Sequence, residues 1–385
     1  MSLVNPIVGS LVGSLVDGLI PVSSLPLNSR LVFEGDSITA GSNGPTYIQM
    51  ASQYVDGRYF LTDGYNQGVG GQTAAQALTG ISTTLAENPE MCVVYLGVND
   101  LMGTSDSAET IQGNLRGIYD ALIGAGSRVI AVKIYELGSG VLSAAREAVR
   151  VSVNAWIDTQ SDVTVVDTSS IDPVTDMLDG IHPNYIGAGK LGDLIGVALD
   201  SNISSGDILA DYLTTSNAIF ANSDNAELSG TTGSKLGGGT GDVADQWVGE
   251  DNTDATVVYS KTTLNGAEAQ RIQISGTNTL SNSVVVFRQS MTWIVDTEEY
   301  WAAIDTLASS VTGLESISVS FEGSSPNSGV TSGQYPTTFS NVMRTNNVEV
   351  TGTPSSTRFQ VVMRLANSAV DIDVTLARPL IIKSN

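Results

Sequence analysis

Two residues far apart in the chain, a serine and a histidine, carry most of the chemistry that this sequence offers. Ser37 follows an apolar run, Leu31 to Phe33, and Gly35. Such a run predicts a buried strand, and Gly35 permits a sharp turn that a residue with a Cβ would resist. A strand that turns into a helix lifts one side chain to the carboxyl edge of a parallel sheet, where open α/β sheets bind ligands. There the N–H groups of the helix start would face a developing negative charge.

His182 is the one histidine of the chain. A serine hydroxyl is a poor nucleophile without a base, so any imidazole of this chain that activates Ser37 must be His182. Asp179 stands three residues before the ring and would fix its tautomer through one ring nitrogen. Asp176 is the alternative partner, because spacing does not decide which carboxylate reaches the ring. Taken singly, Ser37 would also fit a helix N-cap and His182 a structural histidine.

Four segments resemble, in order, the four sequence blocks of the GDSL/SGNH esterases and lipases. They are Gly35–Thr39, Asn66–Thr73, Gly97–Asp100 and Asp179–His182. Over roughly residues 29–200, the resemblance implies a flavodoxin-like three-layer α/β/α domain with a parallel five-stranded sheet and a serine esterase that needs no cofactor. It also implies an oxyanion hole made by the Ser37 N–H, the Gly71 N–H and the Asn99 side-chain amide. Without the resemblance, Gly71 and Asn99 would be read as turn residues.

Two acidic residues adjoin these blocks, Asp36 and Asp100. We interpret both as structural caps and assign them no chemistry. One histidine and one cysteine do not suit a catalytic zinc site, so no metal is expected. The acidic loop 251–254 could supply oxygen ligands for calcium, but its spacing is not that of an EF-hand, and solvated loop charge is the preferred interpretation.

The elements that must position these residues alternate between strand and helix. Strands are predicted over 32–34, 59–63 (extending towards 66), 91–96, 128–135 and 163–167, and helices over 46–55, 73–85, 108–123, 141–157 and 184–199. Apolar strands between helices indicate a parallel sheet covered on both faces. Each functional block follows a strand or precedes a helix, which gathers them at the carboxyl edge. Pro183 should hold His182 extended just before the last helix.

Beyond about residue 200 the composition shifts to Ser, Thr, Gly, Asn and Asp. We predict a hydrolase domain over 29–202, a linker over 203–222 and an all-β antiparallel sandwich over 223–385. The predicted strands are 255–260, 270–275, 283–287, 291–295, 300–304, 316–321, 358–365 and 370–382. This half loosely resembles jelly-roll carbohydrate-binding modules. Its aromatic residues are candidates either for stacking on sugars or for the core: Trp247, Trp293, Trp301, Tyr300 and Tyr335.

The acidic composition excludes several partners. Seventeen Lys and Arg residues against forty Asp and Glu residues give a net charge of −23, which repels nucleic acid and anionic membranes. Neither is expected as a partner. The single cysteine, Cys92, lies in an apolar run and is predicted to be a buried, inert thiol.

Residues 1–28 form an apolar segment with Leu, Ile and Val at a spacing of about four. This spacing favours one helical face, which we interpret as a docking or homo-oligomerisation segment. The segment resembles the apolar, repetitive N-termini of phage structural proteins and lacks the basic region of a signal peptide. An extracellular or virion-surface location, with virion assembly through this segment, is therefore expected.

The preferred function is hydrolysis of short-chain acyl esters, with O-acetyl groups on a carbohydrate polymer as the expected substrate. A lipase or thioesterase that acts on lipid-like acyl chains is the alternative enzyme. A third hypothesis, from another class, is a phage-tail or cell-surface adhesion protein whose hydrolase domain is secondary or silent.

Overall fold

The computed structural model describes residues 24–213, 228–291, 298–322, 330–333, 338–349 and 358–383. Most of the N-terminal segment 1–28 lies outside these ranges, as do the strand predicted over 291–295 (apart from Met291), Trp293 and Tyr335.

A parallel sheet forms the centre of the first half. Its strands are β1 (Ser29–Gly35), β2 (Tyr59–Gly68), β3 (Met91–Tyr95), β4 (Arg128–Val132) and β5 (Thr164–Val166). They lie in the order β2-β1-β3-β4-β5, and every neighbouring pair is parallel. Leu31, Val32 and Phe33 of β1 and all of β3 are buried, as strands covered on both faces must be. The predicted flavodoxin-like sheet of five strands is confirmed.

Helices cover this sheet. They are α1 (Ser37–Ala40), α2 (Ile48–Tyr54), α3 (Ala74–Ala86), α4 (Val98–Gly103), α5 (Ala108–Gly124), α6 (Ala144–Ile157), α7 (Tyr185–Asp200) and α8 (Ile208–Leu213). α2 packs on α7, while α5 packs between α3 and α6. Several starts are set by side-chain caps, including a capping box of Thr73 with Gln76 at α3 and Asn184 at α7. The sequence predicted the five longest of these helices, which are α2, α3, α5, α6 and α7, but not α4 or α8.

Two β-sheets make up the second half. Their strands are β6 (Thr232–Leu236), β7 (Thr240–Gly241), β8 (Val243–Asp251), β9 (Thr256–Leu264), β10 (Ala267–Thr277), β11 (Val284–Ser290), β12 (Glu299–Thr312), β13 (Leu314–Glu322), β14 (Val330–Gly333), β15 (Phe339–Arg344), β16 (Val348–Glu349), β17 (Arg358–Leu365) and β18 (Ala369–Lys383). One sheet runs β15-β12-β18-β10-β9-β7 with β16 beside β12, and the other runs β14-β13-β17-β11-β8-β6. Buried side chains of both sheets share one core, so the sheets form a sandwich. Most pairs are antiparallel as predicted, but the edge pairs β6–β8 and β7–β9 are parallel.

The sandwich contacts the parallel sheet at the amino-terminal ends of β1 and β2. Arg344 of β15 is 2% exposed and donates hydrogen bonds to Gly57 O (2.9 Å), Tyr59 O (3.0 Å) and Asn28 Oδ1 (2.7 Å). Its guanidinium lies 3.8 Å from the centre of the Trp301 ring, a cation–π contact. A buried charge is tolerated here because carbonyl and amide oxygens surround it.

Part of the stretch expected to be a linker is helical. α8 begins at Ile208, and both Ile208 and Leu209 are buried beside Trp301 and Leu380 of the sandwich. The breaker-rich composition of this stretch hid a short amphipathic helix, because a single turn or two of apolar spacing gives little periodicity to read.

Four further features concern the rest of the described chain. Cys92 is fully buried, and burial holds the pKa of its thiol far above the ordinary value, as expected for an inert thiol. None of the helices in the described ranges is long and apolar enough to cross a membrane. The same ranges contain no group of three or more His, Cys, Asp or Glu side chains placed to hold a metal ion. In the acidic loop, Asp251 accepts hydrogen bonds from Gly238 N and Gly239 N, and Asp254 accepts from Thr279 N.

Candidate active site

Ser37 is the first residue of α1, directly after the end of β1. Asp36 is the N-cap of this helix, and its Oδ1 accepts a hydrogen bond from Ile38 N (3.0 Å). Gly35 is required by close approach, because a Cβ there would lie 2.0 Å from Thr39 Oγ1 and 2.9 Å from Tyr95 O. The strand can therefore pass directly into the helix, and the Ser37 N–H at the helix start is left without an acceptor in the described chain.

His182 lies in a loop that is held from several sides. Its carbonyl accepts from Leu178 N (2.8 Å), and Tyr135 Oη donates to Ile181 O (2.6 Å). Gly138 N donates to Gly180 O (2.7 Å), and the Cβ of any larger residue at Gly138 would lie 2.7 Å from Gly180 Cα. These contacts fix the position of the ring although His182 lies in neither a helix nor a strand. Pro183 had predicted such a rigid loop.

A chain of hydrogen bonds joins Ser37, His182 and Asp179. Ser37 Oγ lies 2.9 Å from His182 Nε2, and His182 Nδ1 lies 2.8 Å from Asp179 Oδ2. Because an ionised carboxylate only accepts, Nδ1 carries the proton in the neutral ring and Nε2 is left as the acceptor for the serine hydroxyl. The structure thus brings together two side chains that are 145 positions apart in sequence.

The Asp179 carboxylate is set up to remain ionised. Its Oδ1 accepts from Ile181 N (2.9 Å) and His182 N (2.8 Å), while Oδ2 faces the ring. Partial burial raises the pKa of Asp179, but the hydrogen bonds from His182 and Ile181 outweigh it and hold the pKa below its ordinary value.

Asp176, the alternative partner, is occupied elsewhere. Its carboxylate is 1% exposed, binds Lys190 Nζ at 2.7 Å and accepts from Asp172 N at 2.8 Å. It supports the same loop from behind, since its carbonyl accepts from Asn184 N (2.9 Å). The carboxylate that reaches the ring is Asp179.

The residues expected in an oxyanion hole flank the serine. Gly71 has a positive φ of 77° and lies in a turn whose Val69 N donates to Gly35 O (3.0 Å). In the described chain its N–H, like that of Ser37, has no acceptor. Asn99, the second residue of α4, differs: its Nδ2 donates both to Asp36 Oδ2 (3.1 Å) and to Gln72 O (3.1 Å).

Two contributors to the site carried no signal in the sequence. Asn43 Nδ2 lies 3.3 Å from His182 Nε2, so its amide shares that nitrogen with the serine hydroxyl. Arg146 of α6 donates to Asp100 O (2.7 Å) and Leu101 O (3.0 Å), and these bonds hold the helix that carries Asn99. Asn43 is one polar residue of a Gly-Ser-Asn-Gly turn, and Arg146 acts only through backbone carbonyls, so neither stands out by type or spacing.

The aromatic residues proposed for sugar stacking are in the core instead. Trp247 is fully buried and stacks on Phe287 with ring centres 4.4 Å apart. Trp301, 2% exposed, is covered by Arg344 at the junction, and Tyr300 beside it is also buried. The prediction that Trp247 and Trp301 bind carbohydrate is wrong, because neither ring has a free face. Trp293 lies outside the described residues.

One cavity of the described chain also lies away from the serine. It has a volume of about 470 Å³ and is bounded by α2, α7 and the start of β15. Tyr54, Ile186, Lys190 and Phe339 line it, whereas Ser37, Asp179 and His182 do not.

Part of the chain is similar to known proteins. A model of the GDSL-like Lipase/Acylhydrolase family matches residues 33–189. No curated protein gives a match. Among solved structures, a carbohydrate esterase family 3 protein from Talaromyces cellulolyticus is 20% identical, with 46% of this chain and 100% of that chain covered and a TM-score of 0.39. A GDSL-like lipase from Bacteroides thetaiotaomicron VPI-5482 is 19% identical (45% and 88% covered, TM-score 0.37), as is the acetyl xylan esterase AlAXEase (44% and 98% covered, TM-score 0.38). The family match thus covers residues 33–189, and over that range this chain is similar to GDSL-like lipases and acylhydrolases.

Proposed function

We propose that the protein is a serine esterase in which Ser37, His182 and Asp179 form the catalytic triad. The observation that carries the proposal is the continuous hydrogen-bond chain from the Ser37 hydroxyl through His182 to Asp179. Nε2 of the neutral ring accepts the serine proton as Oγ attacks the ester carbonyl. The ionised Asp179 then stabilises the imidazolium that forms.

The tetrahedral intermediate carries an oxyanion that needs hydrogen-bond donors. The N–H groups of Ser37 and Gly71 are available for it, and the Asn99 amide is the third donor. One such donor is typically worth about 3–4 kcal/mol of barrier. When the intermediate collapses, the C–O bond to the alcohol breaks and the alcohol takes the proton from Nε2. Water, deprotonated by the same nitrogen, then attacks the acyl-serine and releases the acid.

For the substrate, we propose O-acetyl esters on a neutral carbohydrate polymer. The net charge of −23 supports a neutral substrate, because it opposes binding to anionic polymers and anionic lipid surfaces. The buried Trp247 and Trp301 remove one argument for a glycan-binding sandwich, so the polymer itself must be recognised through other residues.

A second substrate class is favoured by one observation. Large apolar side chains are exposed on the segments that carry or adjoin the site: Val69, Met102, Val174, Leu178 and Tyr185. Exposed apolar residues grouped around one site mark a binding surface for apolar groups. They suit a longer acyl chain, as in a lipase or thioesterase.

Ser37→Ala tests the reaction. We expect hydrolysis of p-nitrophenyl acetate to fall by about 10⁴-fold or more, because the nucleophile is lost. Ser42→Ala, at a nearby exposed serine, is the matched control and should keep the wild-type rate. Undiminished turnover by folded Ser37→Ala would refute the proposal. A wild-type protein that hydrolyses no ester would instead favour a structural or adhesion role with a silent hydrolase domain.

A chain-length series from acetate to decanoate separates the two substrate classes. Acetylated glycans assayed for acetate release test the polymer. A maximum of kcat/KM at acetate supports the acetylesterase, whereas a maximum at eight to ten carbons, as expected from the exposed apolar residues, contradicts it.

A further inference from the structure

Asp36 contacts the Asn99 amide as well as capping α1. Its carboxylate is 1% exposed, and its two oxygens have different partners. Oδ1 accepts from Ile38 N (3.0 Å), and Oδ2 accepts from Asn99 Nδ2 (3.1 Å). The other hydrogen of that amide points to Gln72 O (3.1 Å). Both hydrogens of the expected oxyanion donor are therefore occupied in this structure.

A carboxamide has a donor end and an acceptor end that are almost equal in shape. Turned by 180°, Asn99 would present its carbonyl oxygen to the oxyanion and repel it. An ionised carboxylate only accepts hydrogen bonds, so Asp36 favours the orientation in which the NH₂ group faces it and Gln72. The helix cap limits the choice further, because Oδ1 is already used by Ile38 N.

We propose that Asp36 is a positioning residue that holds the Asn99 amide with its N–H groups toward the oxyanion site. The hydrogen bond to Gln72 O is the one exchanged for the oxyanion. It is a neutral bond to the carbonyl of the residue next to Gly71, whereas a charge-assisted bond such as the one to Asp36 is roughly twice as strong. The proposal rests on the esterase mechanism above and assigns Asp36 a role besides its cap.

The same contact gives the enzyme a second acid-sensitive group. Burial raises the pKa of Asp36 to about 6, although the Ile38 N–H bond and the positive charge of protonated His182 lower it. The titratable side chains that face Asp36 are those of His182, Asp100, Tyr47, Tyr95 and Tyr135. A protonated Asp36 is itself a donor and pairs with Asn99 Oδ1, which turns the amide away from its productive orientation.

Asp36→Asn tests this role. Asn caps helices as well as Asp, and its Oδ1 must face Ile38 N to do so. Its NH₂ group then faces Asn99 and selects the wrong amide orientation. We expect kcat on p-nitrophenyl acetate to fall about 10- to 100-fold, with KM changed less than about threefold, because the loss falls on the transition state.

A double-mutant cycle shows which partner transmits the effect. In an Asn99→Ala background, Asp36→Asn should cause no further loss, because there is no amide left to orient. An equal loss in that background would mean that Asp36 acts through the charge of His182 and would overturn the proposal. A wild-type kcat in Asp36→Asn would overturn it as well.

A measurement that needs no turnover keeps the two proposals apart. The Asn99 side-chain amide signals, observed by NMR in His182→Ala to remove the imidazole, should titrate with a midpoint at or above about pH 6, because the His182 charge that lowers the pKa of Asp36 is then absent. The titration should vanish in His182→Ala/Asp36→Asn. If wild type is inactive on every ester, the esterase proposal fails while this titration still stands or falls by itself. Amide signals that do not change between pH 4.5 and 8 would refute the positioning role.

Discussion

Asp179, at the carboxyl edge of the parallel sheet, and Arg344, at its junction with the sandwich, are both charged side chains with at least three hydrogen bonds. They differ in exposure. The Asp179 side chain is 50% exposed, and all three of its donors belong to residues 181 and 182 of its own loop. Arg344 is 2% exposed, and its acceptors come from residues about 285 to 316 positions away.

The difference separates a residue that serves the reaction from a residue that stabilises the contact between the two halves of the chain. Asp179 is oriented by local backbone N–H groups, so its second oxygen remains free for the ring. Arg344 has its charge spread over carbonyl groups and an aromatic ring, so little of it is left to act on a ligand. The two lie at opposite ends of β1, roughly 20 Å apart at about 3.3 Å per residue. Changes at one end should therefore leave the other intact.

The largest expected effect is that of Asp179→Asn on turnover. The Asn side chain can still accept from Ile181 N and His182 N, but its NH₂ group then faces Nδ1. The proton moves to Nε2, which can no longer accept from Ser37. We expect kcat on p-nitrophenyl acetate to fall by about 10⁴-fold, with the melting temperature close to that of wild type.

The matched control is Asp176→Asn, three residues away. That carboxylate binds Lys190 and does not face the ring. It should lower the melting temperature and leave kcat of the folded protein within a few-fold of wild type. The comparison fails if Asp176→Asn is the variant that loses turnover.

Arg344→Met should give the opposite result. Met fills much of the volume but leaves Gly57 O and Tyr59 O buried without donors. Breaking a buried, hydrogen-bonded charge typically costs about 3–5 kcal/mol, and we expect a loss of this order in the free energy of unfolding. The kcat of folded protein should stay within twofold of wild type. Urea denaturation and the esterase assay, run on the same sample, measure both.

Arg271→Met supplies the control within the sandwich. Arg271 pairs with Asp373, and its side chain is 41% exposed, so the pair should be worth less than about 1 kcal/mol. Equal destabilisation by Arg271→Met and Arg344→Met would show that burial at the junction does not matter.

This contrast also explains what the sequence could predict. Ser37, Asp179 and His182 were found because a nucleophile needs a base and the chain has one histidine. Asp179 was preferred to Asp176 because Asp179–His182 resembles the last block of the family. The physical reason is visible only in the structure, where Asp179 Oδ1 accepts from two N–H groups of its own loop. The bond between Asp36 and Asn99 joins residues 63 apart, and no local pattern encodes it.

The second half shows the limits of local patterns more clearly. Short strand-favouring runs between turn-forming clusters predicted most of its strands, but such runs do not tell which face meets the opposite sheet. Trp247 faces inward against Phe287, and Trp301 is covered by an arginine 43 positions later in the chain. A sugar-binding aromatic residue and a core aromatic residue look alike until cross-sheet packing is known.

The smallest of these effects concerns Glu34 of β1, which lies behind the site and is 3% exposed. Burial raises its pKa from 4.5 to about 7, although hydrogen bonds from Thr84 and Gly35 lower it. Between these pH values the folded protein keeps a proton that the unfolded chain has lost. The contribution of this group to the free energy of unfolding is therefore fully present below pH 4.5 and is lost as the pH rises through about 7. The increase in the pKa of Glu34 corresponds to about 3 kcal/mol of unfolding free energy.

Glu34→Gln should remove that part of the pH dependence. A Gln amide cannot ionise, so the difference in unfolding free energy between pH 5 and pH 8 should shrink by about 2–3 kcal/mol, whatever constant offset the buried amide adds. Glu109→Gln, at an exposed position of α5, is the control and should leave the difference unchanged or nearly so. Asp36 titrates in the same direction, so some dependence should survive in Glu34→Gln and shrink further in the double variant with Asp36→Asn. An unaltered pH dependence in Glu34→Gln would mean that this carboxyl group reaches water. Water would then reach the buried side of β1, as it reaches Asp179 at the carboxyl edge, and unlike the junction at Arg344.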